Sequence, residues 1–285
     1  EPVGAAVLRE LHGAFVVDVH ILRRLKLLPT GGDHAAAGFR IAFSMYSRIP
    51  MPRTDWDGAG MRYVMAFFPL VGAAVGAAVF AVDRLCAWLS LPSLLSAVFL
   101  ILIPVLISGG IHLDGFMDVC DAMGSARDRE RKLEIMKDSH VGSFAVVGLF
   151  VLFLLQLGAW YQLPAKAVLV LALGFVLSRA CSAYLVIREK NARTNGLNVM
   201  FSGAAEKKRT LAALYVYMAA CAVLMLLISI PVGIGVLAAA AACLVIIPRI
   251  ARKQFGGWTG DVAGYFLQIC EAVMALAAAI IAAII

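Results

Sequence analysis

Residues 93–111 read SLLSAVFLILIPVLISGGI, a run without a single charged side chain. About 20 apolar residues in a helix cross the hydrocarbon core of a bilayer. Comparable runs extend over residues 63–82, 141–165, 167–187, 210–248 and 262–285. The run 210–248 is long enough for two crossings and contains Pro231, Gly233 and Gly235 near its middle, so we divide it there. The sequence therefore predicts an all-α polytopic integral membrane protein, a bundle of about seven transmembrane helices.

The overall composition supports this class. Hydrophobic residues make up 62% of the chain, charged residues only 15%, and the mean hydropathy is +0.89, which excludes an ordinary soluble domain. We interpret the net charge of +7 as a bias of basic residues toward one membrane face and as attraction to anionic lipid or phosphate. Membrane lipid is thus an expected partner, and nucleic acid is not.

The distribution of basic residues predicts the orientation of the chain. Of the 25 Lys and Arg residues, 22 lie before residue 63 or within residues 112–140, 188–209 and 249–261. Seven crossings place all four of these segments on one side. Basic loops are typical of the cytoplasmic side. We therefore expect a multi-pass protein of the inner (cytoplasmic) membrane, with its N-terminus and its polar motifs facing the cytoplasm.

The chain divides into two parts. Residues 1–38 form an N-terminal extension, either an amphipathic helix on the membrane surface or a disordered segment. We expect residues 39–285 to form the membrane-embedded domain, with its polar motifs at the cytoplasmic face. The six cysteines are scattered without CxxC spacing, so neither a disulfide framework nor a zinc site is predicted.

Three aspartates, Asp114, Asp118 and Asp121, lie in the segment 109–124, GGIHLDGFMDVCDAMG. On a helix, offsets of four and seven residues place them within an arc of roughly 60° on one face. Carboxylates held this close raise one another's pKa or require a cation, and hard oxygen ligands suit Mg²⁺ or Mn²⁺ bound to a phosphorylated substrate. A solvated helix face is the alternative, which we disfavour because no Lys or Arg lies between the acids.

A second pair of acids, Glu134 and Asp138, follows in LEIMKDSHVG. At a spacing of four residues they either complete a metal site with the first cluster or form a like-charge pair that Lys137 moderates. The two readings are equally supported by the residues alone.

His112 and Arg179 are further candidates for the site. His112 is either a functional residue beside the metal, as a hydrogen-bond donor to phosphate or as a general base, or an interfacial histidine with local hydrogen bonds. Arg179 lies within an apolar run, where a guanidinium needs a cavity or an acidic partner. A role in phosphate binding fits Arg179. Glu271 is a similar exception in the last run, and pairing with another helix explains it equally well.

Several separated motifs carry a resemblance to a known family. They are FSMYSRIPMP (43–52), FFPLVGAAVG (67–76), GGIHLDGFMDVCDA (109–122), RDRERKLEIMKDSHVG (127–142), the pair Ser178 and Arg179, NGLNVMF (195–201) and GGWTGD (256–261). In their order and spacing, the chain resembles the adenosylcobinamide-GDP ribazoletransferases, also called cobalamin synthases. The resemblance covers the chain from Phe39 to its C-terminus.

The resemblance implies a Mg²⁺-dependent transferase. Such an enzyme joins adenosylcobinamide-GDP to α-ribazole, or to its 5′-phosphate, and releases GMP with adenosylcobalamin or its phosphate. It also implies roles for individual residues: Asp114, Asp118 and Asp121 as Mg²⁺ ligands, completed by Asp138 and Glu134; Arg127, Lys137 and Arg179 on phosphate oxygens; Asn198, Thr259 and Asp261 in substrate binding; and His112 or a metal-bound carboxylate as acceptor of the ribose hydroxyl proton.

Two positions depart from the family pattern, because Ala122 and Ala145 stand where glycine is usual. We expect an effect on packing, unless the backbone at residue 122 approaches the substrate. Two other functions stay open. One is a CDP-alcohol phosphatidyltransferase, because DVCDAMGSAR (118–127) partly resembles the motif of that family. The other is a cation-coupled transporter, which would carry its acids at mid-depth in the membrane. Whether the chain forms a homo-oligomer is also open.

Overall fold

The computed structural model describes residues 32–54, 58–194, 197–204 and 206–285. All the regular elements in these residues are helices: α1 (Gly32–Tyr46), α2 (Gly58–Met61), α3 (Val64–Trp88), α4 (Ser93–Ser108), α5 (Ile111–Gly124), α6 (Arg129–Ile135), α7 (Ser143–Trp160), α8 (Ala165–Arg188), α9 (Leu197–Ala204), α10 (Lys207–Ile228), α11 (Ile230–Phe255) and α12 (Gly260–Ile284). The all-α prediction is confirmed. Most of the N-terminal extension lies outside the described residues, and α1 begins within its predicted range.

Six of the described helices, α3, α7, α8, α10, α11 and α12, are long and apolar enough to cross a membrane, and α4 with α5 forms a seventh candidate, a pair bent by 96°. The prediction of about seven transmembrane helices is therefore confirmed. The long run 210–248 is divided as expected. Its break falls at Ser229, and Pro231 lies in the first turn of α11, where its missing N–H costs no helical hydrogen bond.

The run 93–111 is not one straight helix, because α4 ends at Ser108. Gly109 and Gly110 follow with φ angles of 65° and 80°, a left-handed conformation that residues with a Cβ adopt at a cost. Two such residues in succession terminate α4 and start α5 in a new direction. The 16 residues of α4 span about 24 Å at 1.5 Å per residue, somewhat less than the roughly 30 Å of hydrocarbon in a bilayer, and we infer that α4 makes most of the crossing of this pair.

Helix α8 is the centre of the bundle and packs against α3, α10, α11 and α12. Its closest neighbour is α3, which presents Gly72 and Gly76 to the backbone carbonyls of Phe175 and Ala172. A Cβ at either glycine would collide with these carbonyl groups. Glycines four residues apart are a common means of close helix contact in membranes. The two central helices therefore touch backbone to backbone.

The basic segments meet at one end of the bundle, which we call the polar end. Backbone hydrogen bonds connect these segments. The N–H of Arg48 donates to the carbonyl of Ile107 (2.7 Å), the N–H of Glu206 to the carbonyl of Arg62 (3.4 Å), and the N–H of Ala192 to the carbonyl of Trp258 (2.9 Å). Side chains add further links, since Arg129 donates to the carbonyl of Lys253 (3.1 Å) and Lys132 to Gln254 (2.6 Å). The segments before α3, after α4, between α8 and α10, and after α11 thus share one end, as the crossing pattern predicts.

Helix α5 turns by 96° from α4, and we infer from this turn that it lies across the polar end, outside the membrane-spanning segments. Near its start, a Cβ at Gly115 would come within 2.9 Å of the carbonyl oxygen of Asp261, the second residue of α12. Toward its other end, Asp121 contacts Gly142, the residue before α7. Both neighbours lie where a spanning helix begins. The acidic helix is therefore held over the ends of α12 and α7.

Candidate active site at the polar end

A partly open cavity of about 160 Å³ lies beneath the start of α5. Residues from α1, α3, α5, α8, α9 and α12 line it. Asp114, Asp261 and His112 are among the residues that line it. The cavity therefore combines an acidic rim with a largely apolar interior.

The acidic cluster includes one more residue than the three that helical spacing predicts. Asp118 is half-buried, and the charges of Asp114, Asp261 and Asp121 all act on it. Burial first, and then repulsion by these carboxylates, raises the pKa of Asp118 to about 7, although the nearby Arg193 opposes the shift. The spacing on α5 thus brings the acids together, and α12 adds Asp261. Such a cluster favours a cation at physiological pH.

Asp121 has a structural partner at the start of α7. Its carboxylate oxygens accept hydrogen bonds from the backbone N–H groups of Gly142 (2.7 Å) and Ala145 (2.8 Å). A carboxylate at this position satisfies the free donors of a helix N-terminus and interacts favourably with the helix dipole. Asp121 therefore ties α5 to α7, and its role as a metal ligand stays a prediction.

Asp261 is held by Arg193 and Thr259. Arg193 donates one hydrogen bond to Asp261 Oδ2 (3.2 Å) and a second to the backbone carbonyl of Leu133 (3.1 Å). Thr259 caps α12 by accepting from the N–H of Val262 (3.1 Å), and its hydroxyl is 3.4 Å from Asp261 Oδ2. These contacts orient the carboxylate of Asp261 and link α12 to the end of α6.

His112 is buried, with 5% of its surface exposed. Its ring lies beside Tyr46 and Phe68, at centroid distances of 5.8 and 5.7 Å. Its Nε2 atom is enclosed and has no hydrogen-bond partner in the described part of the chain. A buried polar atom without a partner costs free energy and often marks a functional position. The local hydrogen bonds that the alternative reading of His112 expects are not made by Nε2 among the described residues, and the choice between the two readings stays a prediction.

Arg179 forms a buried ion pair with Glu271, and Ser178 donates a second hydrogen bond to this carboxylate (2.8 Å). The guanidinium also lies over the ring of Phe175, 5.5 Å from its centroid. Pairing with another helix, the alternative that the sequence left open for Glu271, is therefore present. Arg179 lies one turn of α8 from Ser182, which lines the cavity. Phosphate binding by Arg179 stays a prediction.

The remaining charged candidates lie at the surface of the polar end. Arg127 and Lys137 are exposed. Glu134 pairs with Arg131 (2.7 Å). A hydrogen bond from the side chain of His140 lowers the pKa of Asp138. The structure thus gives both acids of the second predicted pair local partners. The side chain of Asn198 lies outside what the structure describes.

Sequence reasoning did not single out several residues of the site. Arg193 belongs to the basic loop 188–209 but has no distinguishing motif of its own. Tyr46, Phe201 and Ser182 line the cavity and are indistinguishable in the sequence from packing residues. Their positions depend on contacts between distant helices. Only the resemblance, which covers the segments 43–52 and 195–201, carried a signal for Tyr46 and Phe201.

The two departures from the family pattern concern packing. Ala122 is fully buried and Ala145 is 1% exposed. Neither residue lines the cavity. The backbone N–H of Ala145 donates to Asp121, an interaction that a side-chain methyl group leaves intact. The structure therefore gives no reason to expect that either alanine reaches the substrate.

The described acids do not form a closed metal cage. In the described ranges, no three His, Cys, Asp or Glu side chains are arranged as a ready-made metal site. Mg²⁺ commonly binds through one or two carboxylates, water and substrate phosphates. The mutual repulsion around Asp118 supplies the negative field that such an ion needs. The donor set therefore fits Mg²⁺ that arrives with a phosphorylated substrate, and fits a closed protein cage less well.

Fold and site together define a multi-pass helical membrane protein with a cluster of carboxylates over a cavity at one end. Residues 38–279 match the cobalamin-5-phosphate synthase family, and the chain belongs to this family.

Individual relatives support the same assignment. The chain is 41% identical over 240 residues to an adenosylcobinamide-GDP ribazoletransferase of Lachnoclostridium phytofermentans, which covers 84% of this chain and 92% of the relative. Enzymes of the same name from Clostridium botulinum and Escherichia coli are 33% and 32% identical, covering 83% and 84% of this chain and 94% and 98% of theirs. No solved structure matches the chain. These matches do not favour a CDP-alcohol phosphatidyltransferase or a transporter.

Proposed function

We propose that the protein is a membrane transferase that joins adenosylcobinamide-GDP to α-ribazole or its 5′-phosphate. A ribose hydroxyl oxygen attacks the phosphorus on the cobinamide side, the bond to the departing phosphate breaks, and GMP leaves. The products are adenosylcobalamin, or its phosphate, and GMP. The observation that carries the proposal is the match over most of the chain with relatives that have this name.

The acidic cluster supports a role for Mg²⁺, with Mn²⁺ as an alternative. Asp114 and Asp118 would hold the ion, and Asp121, Glu134 and Asp138 stay candidates for completing its ligands. The ion supplies positive charge that offsets the charge of the diphosphate. Asp261, oriented by Arg193 and Thr259, adds a further carboxylate at the same rim.

Basic side chains at the polar end would balance the phosphate charge. Arg127 and Lys137 are exposed there and can reach a ligand without breaking a described ion pair. Arg193 already connects Asp261 with α6, so it can hold the acidic rim in place while the substrate binds. A positioned carboxylate at the rim accepts the proton that the attacking hydroxyl loses. The chemistry of the chain is therefore mainly positioning and charge compensation.

The distribution of basic residues supports a cytoplasmic location for the polar end. All four basic segments meet there, and such segments are retained on the cytoplasmic side of inner membranes. We therefore propose that the site faces the cytoplasm, from which both nucleotide substrates reach it.

The test of this proposal uses purified protein in lipid with adenosylcobinamide-GDP, α-ribazole and Mg²⁺, and measures GMP and cobamide by chromatography. We expect equal amounts of the two products and no turnover in EDTA. Asp114→Asn and Asp118→Asn should each lower turnover by about 100-fold or more. The matched control is Asp83→Asn, at the far end of α3, where Asp83 pairs with Arg84. Absence of GMP from the parent protein would refute the activity, and full turnover by both aspartate variants would refute the site.

A further inference from the structure

Four rings from four different helices form an aromatic wall on one side of the cavity: Tyr46 of α1, Phe68 of α3, His112 of α5 and Phe201 of α9. Tyr46 is at its centre, with ring centroids 4.4 Å from Phe68, 5.8 Å from His112 and 6.4 Å from Phe201. The planes of Tyr46 and His112 differ by only 19°. Such a wall suits contact with another flat ring.

One polar atom of this wall, His112 Nε2, is enclosed and unsatisfied among the described residues. The residue is 95% buried, lines the cavity, and its Nε2 has no partner among the described residues. A ligand in the cavity can supply that partner once the side chains around Nε2 make room for it. Because the imidazole packs against both Tyr46 and Phe68, its orientation is restricted before the ligand arrives.

The size and the remaining lining point to the same kind of ligand. A dry cavity of about 150 Å³ binds a benzene-sized ring in a well-studied soluble protein. The cavity here measures about 160 Å³ and is partly open, so a flat bicycle can enter with one edge toward the rim. Met45, Met65 and Leu267 complete the interior with apolar contacts. Methionine adapts its shape to flat ligands and contacts aromatic rings favourably.

We propose that this cavity binds the heteroaromatic base of the ribosyl substrate, with His112 Nε2 hydrogen-bonded to a ring nitrogen of this base. The inference rests on the proposed function and deepens it. Guanine, the other base in the reaction, carries several donors and acceptors on its edges; the carboxylates that could accept from its donors lie at the rim, and the apolar interior would leave most of its other polar atoms unpaired. A benzimidazole nucleoside has one free ring nitrogen, which His112 Nε2 satisfies by donating its hydrogen.

This arrangement also orders the substrate relative to the acids. With the base in the cavity, the ribose lies at the rim, where Asp114 and Asp261 contribute their carboxylates. His112 then recognises and positions the nucleoside, and removal of the hydroxyl proton falls to a carboxylate. This assignment separates His112 from a role as general base, and the two roles predict different kinetics.

The first test measures binding without catalysis. Benzimidazole is titrated into the purified protein in detergent by calorimetry, with guanine as the comparison probe. We expect saturable binding of benzimidazole and none of guanine in the same range. Val186→Phe places a ring in the cavity and should weaken benzimidazole binding at least ten-fold. Val147→Phe is the matched control, because Val147 is exposed on α7, away from the cavity.

The second test separates recognition from proton transfer and does not depend on the fold of Val186→Phe. His112→Leu should raise the KM for α-ribazole about ten-fold with little change in kcat or in the KM for adenosylcobinamide-GDP. His112→Gln retains an amide donor and should recover most of the loss. A collapse of kcat in both variants, with KM unchanged, would overturn the inference.

The two tests distinguish this inference from the proposed function. If the protein binds benzimidazole and Val186→Phe weakens this binding, but no GMP is released, the cavity assignment is supported and the proposed reaction is refuted. If GMP is released while benzimidazole binds equally well to Val186→Phe, the reaction stands and the cavity assignment is refuted.

Discussion

Replacing Glu271 by leucine is expected to destabilise the bundle strongly, because it leaves the charge of Arg179 without its partner. The side chains of Arg179 and Glu271 are only 2% and 9% exposed. After the substitution, Arg179 retains Ser178 Oγ at 3.0 Å and the carbonyl of Phe175 at 3.4 Å, neither of which carries a charge. Removing one partner of a buried ion pair costs about 3–5 kcal/mol.

This magnitude translates into a measurable shift of the unfolding temperature. At about 2–4 °C per kcal/mol for a chain of this order of size, we expect Glu271→Leu to unfold roughly 6–20 °C below the parent protein. The assay is thermal unfolding in detergent, followed by the fluorescence of a thiol-reactive dye that reports the buried cysteines. A shift below about 2 °C would refute the reasoning, since it would mean that the guanidinium finds water or another anion.

The double variant Arg179→Leu with Glu271→Leu separates charge from packing. Apolar residues in place of a buried ion pair are often neutral or stabilising by about 1–4 kcal/mol, so we expect the double variant to regain the stability lost in Glu271→Leu. Its turnover then tests phosphate binding by Arg179. A double variant that is stable but inactive would support that role, and a stable active one would confine Arg179 to the bundle core.

Three further predictions concern the contacts that position the site. Gly76→Leu should prevent assembly of α3 with α8 and abolish the yield of folded protein, because the new side chain would collide with the carbonyl of Ala172. Gly158→Leu, at a position with open space, is the control. Equal yields of the two variants would contradict the close contact between α3 and α8. Asp121→Ala should destabilise the protein by about 1–2 kcal/mol, since the start of α7 loses its acceptor, and unchanged denaturant unfolding would argue against this. The raised pKa of Asp118 means that protonation of this residue stabilises the fold at acidic pH and that this contribution is lost as pH rises through about 7. In EDTA, Asp118→Asn should therefore unfold at a higher temperature than the parent at pH 8 and at a similar temperature at pH 4, and the opposite order would refute the raised pKa that burial and the neighbouring acids give Asp118.

The sequence predicted the transmembrane helices well because lipid imposes a simple requirement. Each crossing needs a long apolar helix, and few other patterns satisfy the backbone in hydrocarbon. The same reasoning divided the run 210–248 close to the observed break at Ser229. It missed the turn after Ser108, because an apolar run that ends in Gly109 and Gly110 reads equally as a straight helix with glycines at its end.

The site was predictable only as far as its residues share one helix. Asp114, Asp118 and Asp121 could be grouped from their spacing alone, because α5 is regular. The approach of Asp261, the link through Arg193 and the rings around His112 depend on contacts between segments far apart in the chain. Periodicity carries no information about such contacts. The partner of Arg179 was foreseen as one of two alternatives, because a buried charge needs an opposite charge but does not specify where it lies.

The turn at Gly109 and Gly110 has a consequence for how reactants travel. If α5 continued α4 in a straight line, its carboxylates would project beyond the bundle, away from the residues that orient them. Because α5 turns by 96° from α4, the acidic helix instead covers the ends of the spanning helices. Water-soluble nucleotides can then react on an anchored platform, and neither of them has to enter the bilayer.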